Sequence, residues 1–348
     1  MIHTKFMLCC LLSVLLLSCS EDDDIVRHSE KNAIFVYMAA DNDLDYFAIQ
    51  NINQMERCFS ENQISNGVYV YVDRVKNRKT SHPCLYKVKA DNTDLIVSEI
   101  IKTYPEQNSS SADVFVSALK DAIAFSRKAN EQIKGIVLWS HGSAWLPKSE
   151  ILNSKRASTS STRSFGIDIT TEEPQEPYEM DIRELAERLR PFHYDFLVFD
   201  ACFMSSIEVL YEMRNSFDYI ISSPTEVLAT GFPYKEILPE LLSNSPNYSE
   251  IVEKYIAQYN EKKGVLKSAS MTVVKTSVLK SFSESLKELI NHDVTVPDIS
   301  TILQYDQEAT SWLFDIGGFV SLFKNSERKE LVIKLLSDMI LSYRYVLR

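Results

Sequence analysis

Glycine is scarce in this chain, with eight residues in 348, and none of them builds a Gly-rich loop able to cradle a phosphate. Histidine is scarce too. His3, His28, His82, His141, His193 and His292 show no ligand spacing such as His-x-x-x-His, so no metal motif is present. Positive charge is in deficit: 37 Lys and Arg stand against 48 Asp and Glu, a net charge of −11. That balance argues against a nucleic-acid partner and leaves room for basic substrates. The longest apolar run, Phe6 to Leu17, falls short of the roughly 20 residues needed to cross a bilayer as a helix. There are no internal repeats and no low-complexity domain. What is present is ordinary globular composition, 45% apolar and 24% charged, in a length that suits one large α/β domain.

Lys5 followed by the run Phe6 to Leu17 is a signal-peptide pattern. It closes on Leu16-Leu-Ser-Cys19, which resembles the bacterial lipobox, where the cysteine is acylated and becomes the new N-terminus. Ser20-Glu-Asp-Asp-Asp24 reads as a charged tether, and acidic residues at this place resemble a lipoprotein surface-export signal. The expectation is an outer-membrane lipoprotein facing the periplasm or the cell surface, with residues 1–18 as signal and 19–31 as tether. An ordinary secretory signal with Ser18-Cys19 near a chance cleavage point is the alternative. The mature chain keeps Cys58, Cys84 and Cys202, an odd number, so at least one thiol is free. Cys58 and Cys84 could pair; Cys202 would be the thiol left over.

Strand-like runs recur along the mature chain: Ala33 to Ala39, Gly67 to Asp73, Gly135 to Ser140, Phe196 to Asp200, Asp218 to Ser223 and Ser268 to Val274. Helical patterns between them cover Tyr46–Cys58, Ser110–Ala129, Asp181–Arg190, Met204–Arg214, Tyr234–Leu242 and Tyr248–Lys263. Leu85–Val88 and Leu95–Ile100 alternate as an antiparallel edge hairpin. Strands alternating with crossover helices predict an α/β fold, a predominantly parallel sheet with helices on both faces. The expected unit runs from 32 to 275, with 276–348 a mostly helical C-terminal part of the same unit that ends inside a helix.

Two of these strands end in groups that can do covalent chemistry. The Gly135 strand runs into His141-Gly142, and the Phe196 strand into Asp200-Ala-Cys202. Reactive groups in parallel sheets collect at the carboxyl ends of strands, where a histidine and a cysteine can meet as general base and nucleophile. Cys202 precedes the helix expected near Met204, whose positive end would favour the thiolate. Gly142 leaves room for substrate, and the N–H groups of Gly142 and Cys202 are the natural oxyanion donors. The alternative reading of Asp200 is a cap for that helix and nothing more.

The segments Ser140-His-Gly-Ser-Ala-Trp145, Phe199-Asp-Ala-Cys-Phe-Met204 and Ser222 to Tyr234, with Phe35 to Asn42 upstream, resemble the clostripain family of cysteine peptidases. The resemblance spans about Ala33 to Phe323 and implies a caspase-like three-layer sandwich. It implies a Cys-His dyad of Cys202 and His141 with no obligatory carboxylate. It sets Asp200 in the wall of the S1 pocket, where a carboxylate selects Arg or Lys at P1 through a charge-assisted hydrogen bond. Glu226 is either a second acidic group of that pocket or a structural loop residue; Thr225, Thr230 and Tyr234 are unranked candidates for its border. Trp145 flanks the cleft or, more in keeping with its type, packs inside.

The polar stretch between the motifs carries Lys148, Lys155, Arg156 and Arg163 among Ser and Thr. Family members self-cleave after a basic residue here, which points to Lys155 or Arg156. Some relatives use calcium; the acidic loop Asp41–Asp45 invites it but lacks the spacing and central glycine of an EF-hand loop. Relatives continue into further C-terminal structure. The overall expectation is a lipid-anchored, self-processed cysteine endopeptidase cutting polypeptides after Arg or Lys. The competing reading is a catalytically silent peptide- or glycan-binding lipoprotein of the same fold, which would have no need of both His141 and Cys202.

Overall fold

The run from Lys31 to Ala40 is buried at every position but the first, which only a strand covered on both faces achieves. In the computed structural model, which describes residues 30–75, 82–145, 165–169, 178–292, 298–305, 312–324 and 326–346, it is an interior strand of the sheet. In chain order come β1 (Lys31–Ala40), α1 (Asp45–Asn62), β2 (Gly67–Arg74), β3 (Cys84–Lys87), β4 (Glu99–Thr103), α2 (Ala112–Lys128) and β5 (Glu131–Trp139). Then follow β6 (Phe165–Asp168), β7 (Tyr178–Met180), α3 (Ile182–Leu189), β8 (Tyr194–Asp200), α4 (Ile207–Met213), β9 (Phe217–Ser222) and α5 (Tyr234–Leu241). The remainder is α6 (Tyr248–Asn260), β10 (Ala269–Lys275), α7 (Leu279–His292), α8 (Ile316–Ser321), α9 (Ser326–Met339) and β11 (Ile340–Val346).

Among the described residues nine strands form one sheet in the order β11-β10-β9-β8-β5-β1-β2-β3-β4. The five from β9 to β2 are parallel, and the margins turn antiparallel. Side chains alternate across the pleat. Phe35 and Tyr37 enter a core shared with α2, α3, α4 and α7, while Ile34, Val36 and Met38 enter another shared with α1, α5 and α6. Helices thus cover both faces, giving the three-layer α/β sandwich.

Three expectations need correction. The second hairpin strand begins at Glu99, not Leu95, because Glu56 Oε1 accepts the N–H groups of Val97 and Ser98 and fixes that stretch as a loop. The chain end is not helical: Ile340–Val346 pairs antiparallel with β10 as an edge strand of the same sheet. A short alternating run carries too little periodicity to choose between helix and strand, and the otherwise open edge of β10 decides. The helix after Cys202 starts at Ile207 rather than near Met204, as described below.

Candidate active site

The site is built at the carboxyl end of β5 and β8, which pair in parallel with Trp139 opposite Asp200. The Ser140 N–H donates to the Asp200 carbonyl at 3.3 Å, so the two chains remain side by side as they leave the sheet. His141 and Cys202 each lie two residues beyond that shared rung. Gly142 then passes close over the cysteine turn. A Cβ there would stand 2.7 Å from the Cys202 carbonyl oxygen, 2.8 Å from Ala201 Cβ and 3.0 Å from Met204 Sδ, so only glycine fits. Among the described residues the N–H groups of Gly142 and Cys202 make no hydrogen bond, as oxyanion donors require.

Cys202 sits in a turn, not on a helix. Phe203 is left-handed (φ 62°), Phe203 N–H donates to the Thr225 carbonyl and Ser205 N–H to the Ser223 carbonyl. The helix waits for Ser206, whose hydroxyl caps it by accepting from Val209 N–H. The expected dipole effect on the thiol therefore falls away, since it fades within the first turn of a helix. The sulfur instead meets Val227: the Val227 N–H donates to Sγ at 3.2 Å and the thiol faces the Val227 carbonyl at 3.5 Å. Burial pushes the thiol up to about 11; the Val227 N–H opposes this and the charges of Glu226 and Asp200 add to it. A resting thiol is the consequence. Alkylation of Cys202 by iodoacetamide in the substrate-free protein is expected to rise about tenfold per pH unit between pH 7 and 10. A rate that is fast and flat across that range would contradict it.

His141 is partly exposed, and its Nε2 lies 2.7 Å from Asp43 Oδ1. Asp43 belongs to the acidic loop after β1, the neighbour of β5 on the side away from β8. Strand order, had it been legible, would have pointed to this residue. In the same loop Asp45 pairs with Arg74 through two bonds of 2.8 and 2.9 Å. Among the described residues no three acidic, histidine or cysteine side chains are grouped to hold a metal ion.

Asp200 is buried at 4% exposure, and its Oδ2 accepts both the Phe232 N–H at 3.1 Å and the Tyr234 hydroxyl at 2.8 Å. It does not cap a helix. Burial lifts its carboxyl to about 6, and those two bonds offset part of that rise. Gly231 (φ 62°) lies over it, where a Cβ would come within 2.5 Å of Oδ2. Among the described residues Oδ1 receives no hydrogen bond. Glu226 is exposed beside the Cys202 loop, and Tyr234 is wholly buried beneath it. Thr225 bonds Ser270 and Thr230 bonds Tyr259, so both hydroxyls brace the loop.

Trp145 is 36% exposed rather than packed inside, because it stands at the wall of an apolar cavity of about 400 Å³ with Phe203 and Pro224. Cys58 and Cys84 are free thiols in separate surroundings, one against Asn62 and the other against His82 and Thr103. Cys19, Lys148, Lys155, Arg156 and Arg163 lie outside the described residues.

A parallel sheet with a thiol and an imidazole at neighbouring strand ends, beside two open backbone donors, defines a cysteine peptidase of caspase-like fold. The clostripain family model matches residues 36–337, and the chain belongs to that family as a cysteine endopeptidase acting on polypeptides. Among solved structures it is similar to a secreted C11 cysteine protease from Bacteroides thetaiotaomicron in complex with an irreversible peptide inhibitor. That likeness has 29% identity and a TM-score of 0.72, covering 91% of this chain and 85% of that one. Another secreted C11 protease from that organism, iotapain, is similar at 23% identity and a TM-score of 0.76, over 91% and 87% of the chains. An inactive zymogen C11 protease from Parabacteroides distasonis is similar at 24% and 0.71, over 90% and 84%. No curated protein matches.

Proposed function

We propose that this chain hydrolyses peptide bonds after Arg or Lys, with Cys202 as nucleophile and His141 as proton carrier. The carrying observation is the Trp139–Asp200 rung, which brings both residues out of the sheet side by side. His141 takes the thiol proton, and sulfur forms a bond to the scissile carbonyl carbon. The oxyanion lies between the N–H groups of Gly142 and Cys202. As the C–N bond breaks, His141 returns the proton to the leaving amine, and water then cleaves the thioester to free acid and thiol.

Asp200 supplies the basic preference: a carboxylate two residues before the nucleophile, with Oδ1 open, suits a charge-assisted bond to a cationic P1 side chain. Glu226, exposed next to the sulfur's partner Val227, adds negative charge at the entrance. Self-cleavage falls within residues 148–163, at Lys155 or Arg156, where basic residues stand among Ser and Thr. Cys19 anchors the mature protein to the outer membrane by its lipid; no helix among the described residues is long and apolar enough to cross a membrane.

A peptide library varied at P1 tests the activity and its preference together. Cleavage confined to Arg and Lys is the expected result, and turnover spread evenly over P1 residues overturns the assignment of Asp200. No cleavage of any member, by protein with an intact thiol, overturns the reading as a whole.

A further inference from the structure

We propose that Asp43 is the positioning residue of His141, making the site a carboxylate–imidazole–thiol relay rather than a bare pair. The proposal rests on the reading of His141 as proton carrier. Its observation is the 2.7 Å contact between Asp43 Oδ1 and His141 Nε2, joining residues 98 apart in sequence. A carboxylate can only accept, so the neutral imidazole must carry its proton on Nε2. Nδ1 then keeps its lone pair and is the nitrogen left to take the thiol proton.

Asp43 is 83% exposed, and an exposed charge pair alone is held weakly. Here the backbone does the holding. Asn42 Nδ2 donates to the Ala39 carbonyl at 3.0 Å and to the Ile167 carbonyl at 2.8 Å, while its Oδ1 accepts from Leu44 N–H at 2.9 Å. The strand β6 joins this loop to the histidine: Gly166 N–H donates to the His141 carbonyl and Ile169 N–H to the Asp41 carbonyl, each at 3.0 Å. Both sides of the Asp43–His141 contact are therefore tied to one short strand. An aspartate, with a single methylene, needs little further ordering to reach the ring. Among the described residues Asp43 has no other side-chain partner.

The test uses the full chain in wild-type, Asp43→Ala, Asp43→Asn and Asp43→Glu forms. For Asp43→Ala, kcat is expected to fall about tenfold with KM changed less than twofold, and Asp43→Glu to recover part of the loss. Asp43→Asn, which can still accept a hydrogen bond but has no charge, separates orientation from charge: recovery to near wild type assigns the effect to orientation alone. Nitrogen-15 spectra of histidine-labelled protein give a readout that needs no turnover. His141 should show a protonated Nε2 and unprotonated Nδ1 in wild type, and a mixture of tautomers in Asp43→Ala. An unchanged kcat, a loss confined to KM, or identical histidine spectra in wild type and Asp43→Ala overturns the proposal. If no form cleaves peptide while the spectra still differ as expected, the peptidase reading fails and the positioning role stands.

Discussion

Cys202→Ala abolishes peptide cleavage, lowering kcat/KM by on the order of 10⁴-fold or more, roughly 5 kcal/mol of transition-state stabilisation at about 1.4 kcal/mol per decade. The size follows from covalent catalysis: without sulfur no acyl-enzyme can form, and the two backbone donors remain with nothing to hold the substrate against. Folding should survive, because the side chain is only partly buried and its bonds run to the Val227 backbone alone. A fluorogenic peptide with Arg at P1 measures the loss, and circular dichroism confirms the fold. Intact mass of the same two proteins tests self-processing: wild type should appear cut between 148 and 163, Cys202→Ala uncut. A variant keeping more than a few per cent of activity would move the nucleophile elsewhere, and identical masses would remove the self-cleavage proposal.

Asp200→Asn is expected to cost on the order of 10²-fold in kcat/KM on Arg and Lys substrates while leaving neutral P1 residues near wild type. A buried carboxylate facing a cation is an ion pair that a neutral amide cannot replace. Asparagine keeps the scaffold, since its carbonyl oxygen can accept from Phe232 N–H and Tyr234 hydroxyl as Oδ2 does. Wild type should also lose basic preference below about pH 6, where the Asp200 carboxyl takes up a proton, seen as a rise in KM.

The stability consequence has the opposite direction. Because burial raises this carboxyl from 3.8 to about 6, the fold favours its protonated form. That contribution is fully present below pH 3.8 and is lost as pH rises through about 6, a cost of about 3 kcal/mol above that range. Asp200→Asn should therefore be the more stable protein at pH 8 and the poorer protease. A pH-independent difference in unfolding free energy would contradict the raised carboxyl, and an unchanged P1 preference would separate Asp200 from substrate recognition.

Much of the frame could be read in advance because it is written in local patterns. The core strands announce themselves as continuous β-branched and aromatic runs, and those runs place His141 and Cys202 at strand ends. Failures came where a decision was made by partners distant in sequence. Leu95–Ser98 looks like strand until Glu56 claims its N–H groups, some 41 residues away. Ile340–Val346 looks helical until β10 offers it an edge.

By itself, then, the sequence determined the parallel α/β sheet, the imidazole and the thiol each at the carboxyl end of a strand, and the glycine that follows the imidazole. Periodicity and residue type act over a few positions, and no tertiary knowledge is needed to read them. Only the tertiary structure decided what surrounds those groups. It moved Cys202 from a helix end to a turn against Val227, sank Asp200 onto Tyr234 and Phe232, and set Asp43 against His141. These are contacts across 25 to 98 residues, made by loops whose meeting depends on strand order. Burial and hydrogen bonding across such distances set the protonation of each group, and so where the chemistry begins.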